Sequence, residues 1–223
     1  MKKNKIAIAI LAVSAALASP HAVAQFGGLI SALGGGGSSS APNPDEFLKS
    51  DLTAEKLMNN SVVLMATSLS TKEKSAELVA ARAAANAMTD PAEKQAKKLE
   101  VQKSEQAALA QALADSNVDQ KVKAMDVKQK GELAAASFNF MLALLQDKAL
   151  VGQASSLISS ISSNPMNLTK IGSIKDVASS LGNQISDASK VAGKMPAIFS
   201  AVGIQPPTSK DEKPKEMKQV EGE

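Results

Sequence analysis

Between Pro44 and Gly203 the chain has no stretch in which apolar and polar residues alternate, while Ala, Leu, Lys, Glu, Gln and Met supply strong helix formers throughout. A half-buried strand needs a period of two, so these 160 residues are left with helices that bury an apolar stripe against one another. The pattern predicts one all-α domain, an antiparallel helical bundle of four to five helices over residues 44–203.

Start signals divide the bundle. Pro44-Asp45-Glu46 places a proline and two acids in a first turn, where the helix dipole favours negative charge, and predicts a helix over 44–69 with the stripe Leu48, Leu52, Met58, Val62, Ala66 and Leu69. Ser70 and Glu73 have capping-box spacing for a second helix ending near Met88. Asp90-Pro91-Ala92-Glu93 combines an N-cap, an N1 proline and an N3 acid for a third, over 91–114, whose charged run from Glu93 to Glu105 is expected to protrude. Ser116 and Asp119 open a long fourth helix that becomes apolar on nearly every side from Leu133 to Leu145, and Asn164-Pro165 ends it. That segment, including Leu142 and Leu145, is expected at the centre. Ser173 and Asp176 are read as the cap of a last helix, with a division near 193–196 at Gly193 and Pro196 and a C-terminal end at Gly203.

The flanks read differently. Lys2, Lys3 and Lys5 precede an apolar stretch of 13 residues, Ile6 to Ala18, and Ala22-Val23-Ala24 follows with small residues at Ala22 and Ala24. Thirteen residues are short of the roughly 20 that span a bilayer, so residues 1–24 are read as a cleaved signal peptide and Gln25 as the first mature residue, which places the protein in the periplasm or outside the cell. Residues 25–43 read as a flexible Gly/Ser-rich linker. Residues 204–223, with Pro206, Pro207 and Pro214 among lysines and acids, offer little to bury and are expected to be disordered.

Loss of the leader changes the electrostatics. It takes the 25 basic residues to 22, equal to the 22 acidic ones, so the case for nucleic acid or an anionic membrane disappears. The single histidine, His21, leaves with it, and the sequence has no Cys, Trp or Tyr. Without imidazole or thiol there is no ordinary zinc or copper site, no Ser-His-Asp triad and no cysteine nucleophile. No catalytic, cofactor-binding or metal-binding residue is therefore assigned.

Four residues remain as interaction or register candidates. Arg82, the only arginine, can hold a carboxylate across the bundle with its planar fork or snorkel to water. Gln102 and Gln106 interrupt the stripe of the third helix, and Asn139 lies within the apolar segment, where a buried amide needs partners and can fix register. The function this supports is binding of another exported protein. Membrane insertion of 133–145 and of the divided last helix ranks second, a carboxylate-based hydrolase third.

The leader generates a direct expectation. The exported protein should have an intact mass that begins at Gln25; a mass retaining residues 1–24 would instead make the leader an N-terminal anchor.

Overall fold

The structure is a computed structural model that describes residues 43–162 and 170–217. Among these residues it is all helical, with seven helices: α1 (Pro44–Leu69), α2 (Lys72–Ala87), α3 (Pro91–Ala114), α4 (Val118–Ala124), α5 (Val127–Ser162), α6 (Ile171–Ala192) and α7 (Met195–Val202). The five helices expected from sequence are all present, the fourth and fifth each divided in two. The signal, its Ala22, Ala24 and Gln25, the linker up to residue 42 and the Asn164-Pro165 stop lie outside the described residues.

Most boundaries follow from local chemistry. Asn43 Oδ1 accepts from the Asp45 N–H at 2.9 Å, and Asp90 Oδ1 accepts from the Glu93 N–H at 2.8 Å, so α1 and α3 start at their prolines. The cap of α2 is Thr71 and not Ser70: its hydroxyl accepts from the Lys74 N–H at 3.2 Å. The long fourth helix breaks before α5 because Asp126 and Gln129 form a reciprocal capping box, with N–H to side-chain oxygen distances of 2.8 and 3.1 Å. The α6 helix starts at Ile171 with no side-chain cap, so Ser173 and Asp176 lie inside it and do not cap it. It ends before Gly193, and α7 closes on Gly203 at φ 74°, a left-handed position that costs glycine nothing. Two lysines close carbonyl ends across the turns, Lys94 Nζ on Asn86 O at 2.8 Å and Lys130 Nζ on Lys123 O at 2.9 Å.

The centre is α5. Every residue from Leu133 to Phe140 is buried, so the helix has neighbours on all sides there. Its most extensive packing is with α1, and the two run antiparallel: Leu57 to Leu69 of α1 share a large core with Leu133 to Leu144 of α5, while Phe47 and Ala54 join Leu150 to Ile161 in a second, smaller one. The α6 helix follows α1 in direction, giving Ile174 and Leu181 to the small core and Ala188 to the large one. Helix α7 completes the large core with Met195, Ile198 and Phe199.

Three details differ from the sequence reading. Leu52 is 51 % exposed, and Phe47 takes the buried place at that end of α1. In α3 the residues Ala92, Ala96 and Leu99 face solvent, and the buried stripe is Val101, Glu105, Ala108, Leu109, Ala112 and Leu113. The N-terminal half of α3, with no buried residue before Val101, accordingly stands away from the core beside α2. Residues 204–217, expected to be disordered, run as a strap against α5. Apolar burial is limited to Pro207 and to Ile204 and Met217, which are partly buried against the large core; hydrogen bonds between α5 side chains and the strap's backbone add to it, and composition does not reveal these.

The core assignment predicts a graded response. Leu142→Asp should abolish the cooperative helical melt followed by circular dichroism, because Leu142 is fully buried and an unpaired carboxylate there costs several kcal/mol of a typical 5 to 15 kcal/mol. Leu145 is only partly buried, so Leu145→Asp should lower the melting temperature yet leave a fold. Exposed Lys103→Ala should change stability by less than about 0.5 kcal/mol.

Candidate functional site

A groove of about 310 Å³ opens between α3 and α6. Its walls have the same spacing: Lys103, Gln106, Ala107 and Ala110 on α3 face Gln184, Asp187, Ala188 and Val191 on α6, each set at i, i+3, i+4 and i+7. Two turns of each helix therefore border it over about 10.5 Å. Met58, Val62, Leu109 and Phe140 form an apolar floor. Ala107, Ala110 and Ala188 leave space between the walls, and the rim is polar: Asp187 pairs with Lys190 at 2.8 Å, while Lys103 makes no ion pair with another described residue.

The sequence-derived residues fall in three places. Gln106 lines the groove, and Gln102, half-buried, lies one position outside that lining set. Arg82 reaches from α2 to α3, where Nε and Nη2 donate to Glu105 Oε1 and Oε2 at 2.9 and 2.7 Å. Glu105 is 1 % exposed, and a two-pronged pair is the geometry that offsets the cost of burying its charge. Of the two expected roles for Arg82, the carboxylate clasp is the one observed. Asn139 is fully buried and bonds both backbone groups of one strap residue: its Nδ2 donates to Lys215 O and the Lys215 N–H donates to its Oδ1, each at 2.8 Å.

Three buried polar groups, Glu105, Gln146 and Asp147, were missed in the sequence. Asp147 is fully buried on α5 with neither oxygen hydrogen-bonded. Burial, with the negative charges of Asp51 and Glu55 across on α1 adding to it, pushes its carboxyl up to about 7. Asp51, half-buried, is raised to about 6 by burial first and Glu55 second. Gln146, beside Asp147, donates through Nε2 to Lys210 O at 3.1 Å, and its Oε1 is buried with no partner. A legible signal existed for Asp147, which falls on the stripe Phe140, Ala143, Leu150 and Ala154 at helical spacing, and for Glu105, on the stripe through Val101, Ala108 and Ala112.

Paired carboxyls with raised proton affinity are what a general acid-base pair requires. Neither Asp51 nor Asp147 lines the groove, however, and among the described residues no group of three or more acidic, His or Cys side chains is arranged to hold a metal ion. Asp147 instead sits where α5 passes from the large core to the small one, between Leu144 and Leu150, and with Asp51, which lies between Phe47 and Ala54 of the small core on α1, it forms an acidic layer.

No family model, curated protein or solved structure matches this chain.

The acidic layer makes stability depend on pH. In the unfolded chain an aspartate titrates near 3.8; folded Asp147 keeps its proton to about 7. The folded state thus binds more protons across that window, and stability falls as pH rises from about 4 to 7 and levels off above it. The shift corresponds to roughly 4 kcal/mol at about 1.4 kcal/mol per unit. Asp147→Asn should be more stable than the parent at pH 8 and should flatten the slope of unfolding free energy between pH 4 and 7 in urea titrations. An unchanged slope would mean that Asp147 is charged in the folded protein.

Proposed function

We propose that this protein is an exported helical bundle without catalytic activity of its own, and that it acts by binding another exported protein through the α3–α6 groove. The observation that carries this reading is the pair of facing i, i+3, i+4, i+7 walls over an apolar floor. Such a slot matches the face of an amphipathic helix, which lays its apolar stripe on the floor while polar flanks meet a polar rim. Lys103, without an ion-pair partner, favours an acidic residue on the incoming helix. The projecting α2–α3 hairpin extends the same surface. The membrane reading is less well supported, because no helix among the described residues is long and apolar enough to cross a membrane and residues 133–144 supply the core.

A photo-crosslinking residue in place of Gln106 tests the assignment in cells. It should capture one protein, with the attached peptide mapping to a helical segment, and Ala110→Trp, which fills the groove from an exposed position, should abolish the adduct without shifting the melting temperature. The same crosslinker at Val127, which is 89 % exposed and outside the groove, should not capture it. Equal capture from both positions, or capture that survives Ala110→Trp, would rule the groove out as the binding surface.

A further inference from the structure

The strap covers a part of α5 that is built to bind the backbone of a peptide. Asn139 pairs with both the N–H and the C=O of Lys215, as a neighbouring β-strand would. Seven residues on, and so on the same face, Gln146 has the same amide chemistry but makes half of the same clasp: Nε2 donates to Lys210 O, and the buried Oε1 accepts from nothing. An orphaned buried acceptor is uncommon and costly. Its cause is visible in the strap, which does not run straight between the two clasps. Residues 208–212 fold into a turn closed by Glu212, which accepts from the N–H groups of Thr208 and Ser209, so the positions that the two amides hold, Lys210 and Lys215, are five apart in sequence. The clasps lie about 10.5 Å apart along α5, a distance that an extended peptide covers in about three residues.

The strap is also held in a way that permits its release. Asn139 and Gln146 make polar bonds that water or another backbone can replace, Lys215 Nζ sits 4.6 Å from the centre of the Phe138 ring, and Met217 Sδ rests 3.8 Å from Ser61 Oγ. Pro207 is the one strap residue fully buried. The two α5 residues that bond the strap's backbone, Asn139 and Gln146, are the amides of a segment, 133–146, otherwise made of Ala, Leu, Phe, Ser137 and Met141.

We propose that this face of α5 is a receptor for an extended peptide, read through its backbone by Asn139 and Gln146, and that residues 204–217 are its intramolecular occupant, displaced by a segment that fits better. The preferred ligand is an extended segment with backbone groups at n and n+3 on the two clasps, a cationic side chain over Phe138 and an unbranched apolar residue two positions further on. This is a second surface, distinct from the α3–α6 groove, and neither depends on the other.

The test uses the full mature chain and a fluorescein-labelled peptide of residues 205–217. Lys215→Pro removes the strap's N–H to Asn139 and its cation over Phe138 while leaving the receptor face intact. The peptide should bind this variant at least tenfold more tightly than the parent, whose own strap competes. Adding Asn139→Leu, or separately Gln146→Leu, should abolish the gain, with circular dichroism showing that at least one of these variants retains the helical fold. Equal affinity for parent and Lys215→Pro, no binding up to millimolar peptide, or binding undiminished in a folded receptor variant would each overturn the proposal. The crosslinking result at Gln106 does not bear on any of these outcomes.

Discussion

The fold depends on enclosing one helix on every side. A helix with eight consecutive buried residues, Leu133 to Phe140, has no face left for water, so other parts of the chain must supply walls all round it. Helix α1 provides the longest wall, α6 and α7 provide further ones, and the strap closes the side on which Asn139 and Gln146 lie. Helix α2 is tied on by a different means. Small side chains dominate α2, where Leu78 and Ala85 are the only buried residues, and the Arg82 clasp on Glu105 fixes it to α3. Alanine contacts leave little apolar area at about 25 cal/mol per Å², which makes a two-pronged ion pair a sensible fastener there.

Much of this architecture was legible because helix ends are written in local chemistry. Asn43, Asp90 and Gly203 act where their side chains or backbone freedom suit them, and the division near Gly193 falls as the Gly and Pro pattern indicates. The break before α5 was equally available in the Asp126 and Gln129 capping-box spacing, within a polar stretch, 126–132, where Val127 is the one apolar residue. The start of α6 differs in kind: it has no side-chain cap, so no local residue could announce it.

The functional surfaces were less legible, for physical reasons. A groove arises from the distance between two helices, and neither α3 nor α6 records in its own sequence that the other stands opposite; Gln106 stood out only as an interruption of a stripe. Asn139 was identifiable as a buried amide in need of partners, yet the partner was a backbone 76 residues away, and backbone groups leave no trace in composition. Glu105 and Asp147 show that charge on an apolar stripe separates into two outcomes. Where an arginine reaches the carboxylate it is held in a two-pronged ion pair; where the nearest ionisable groups are other acids, as at Asp147, its proton affinity rises.

The buried carboxyl layer centred on Asp147 also divides the molecule along its length, between Leu144 and Leu150 of α5. The apolar cluster beyond it, built from Phe47, Ala54, Leu150 to Ile161, Ile174 and Leu181, shares no side chain with the large core. Cooperativity in a helical bundle is transmitted by continuous apolar contact, and here that contact is interrupted by carboxyls that cannot pack as methyl groups do. The distal end therefore forms its own unit of local opening. Its amides should exchange with solvent through a sub-global event that leaves the α1–α5 contacts around Met65 and Leu142 closed, and the ease of that event should follow the protonation of the layer. One end of the bundle is thus able to loosen while the other keeps its shape.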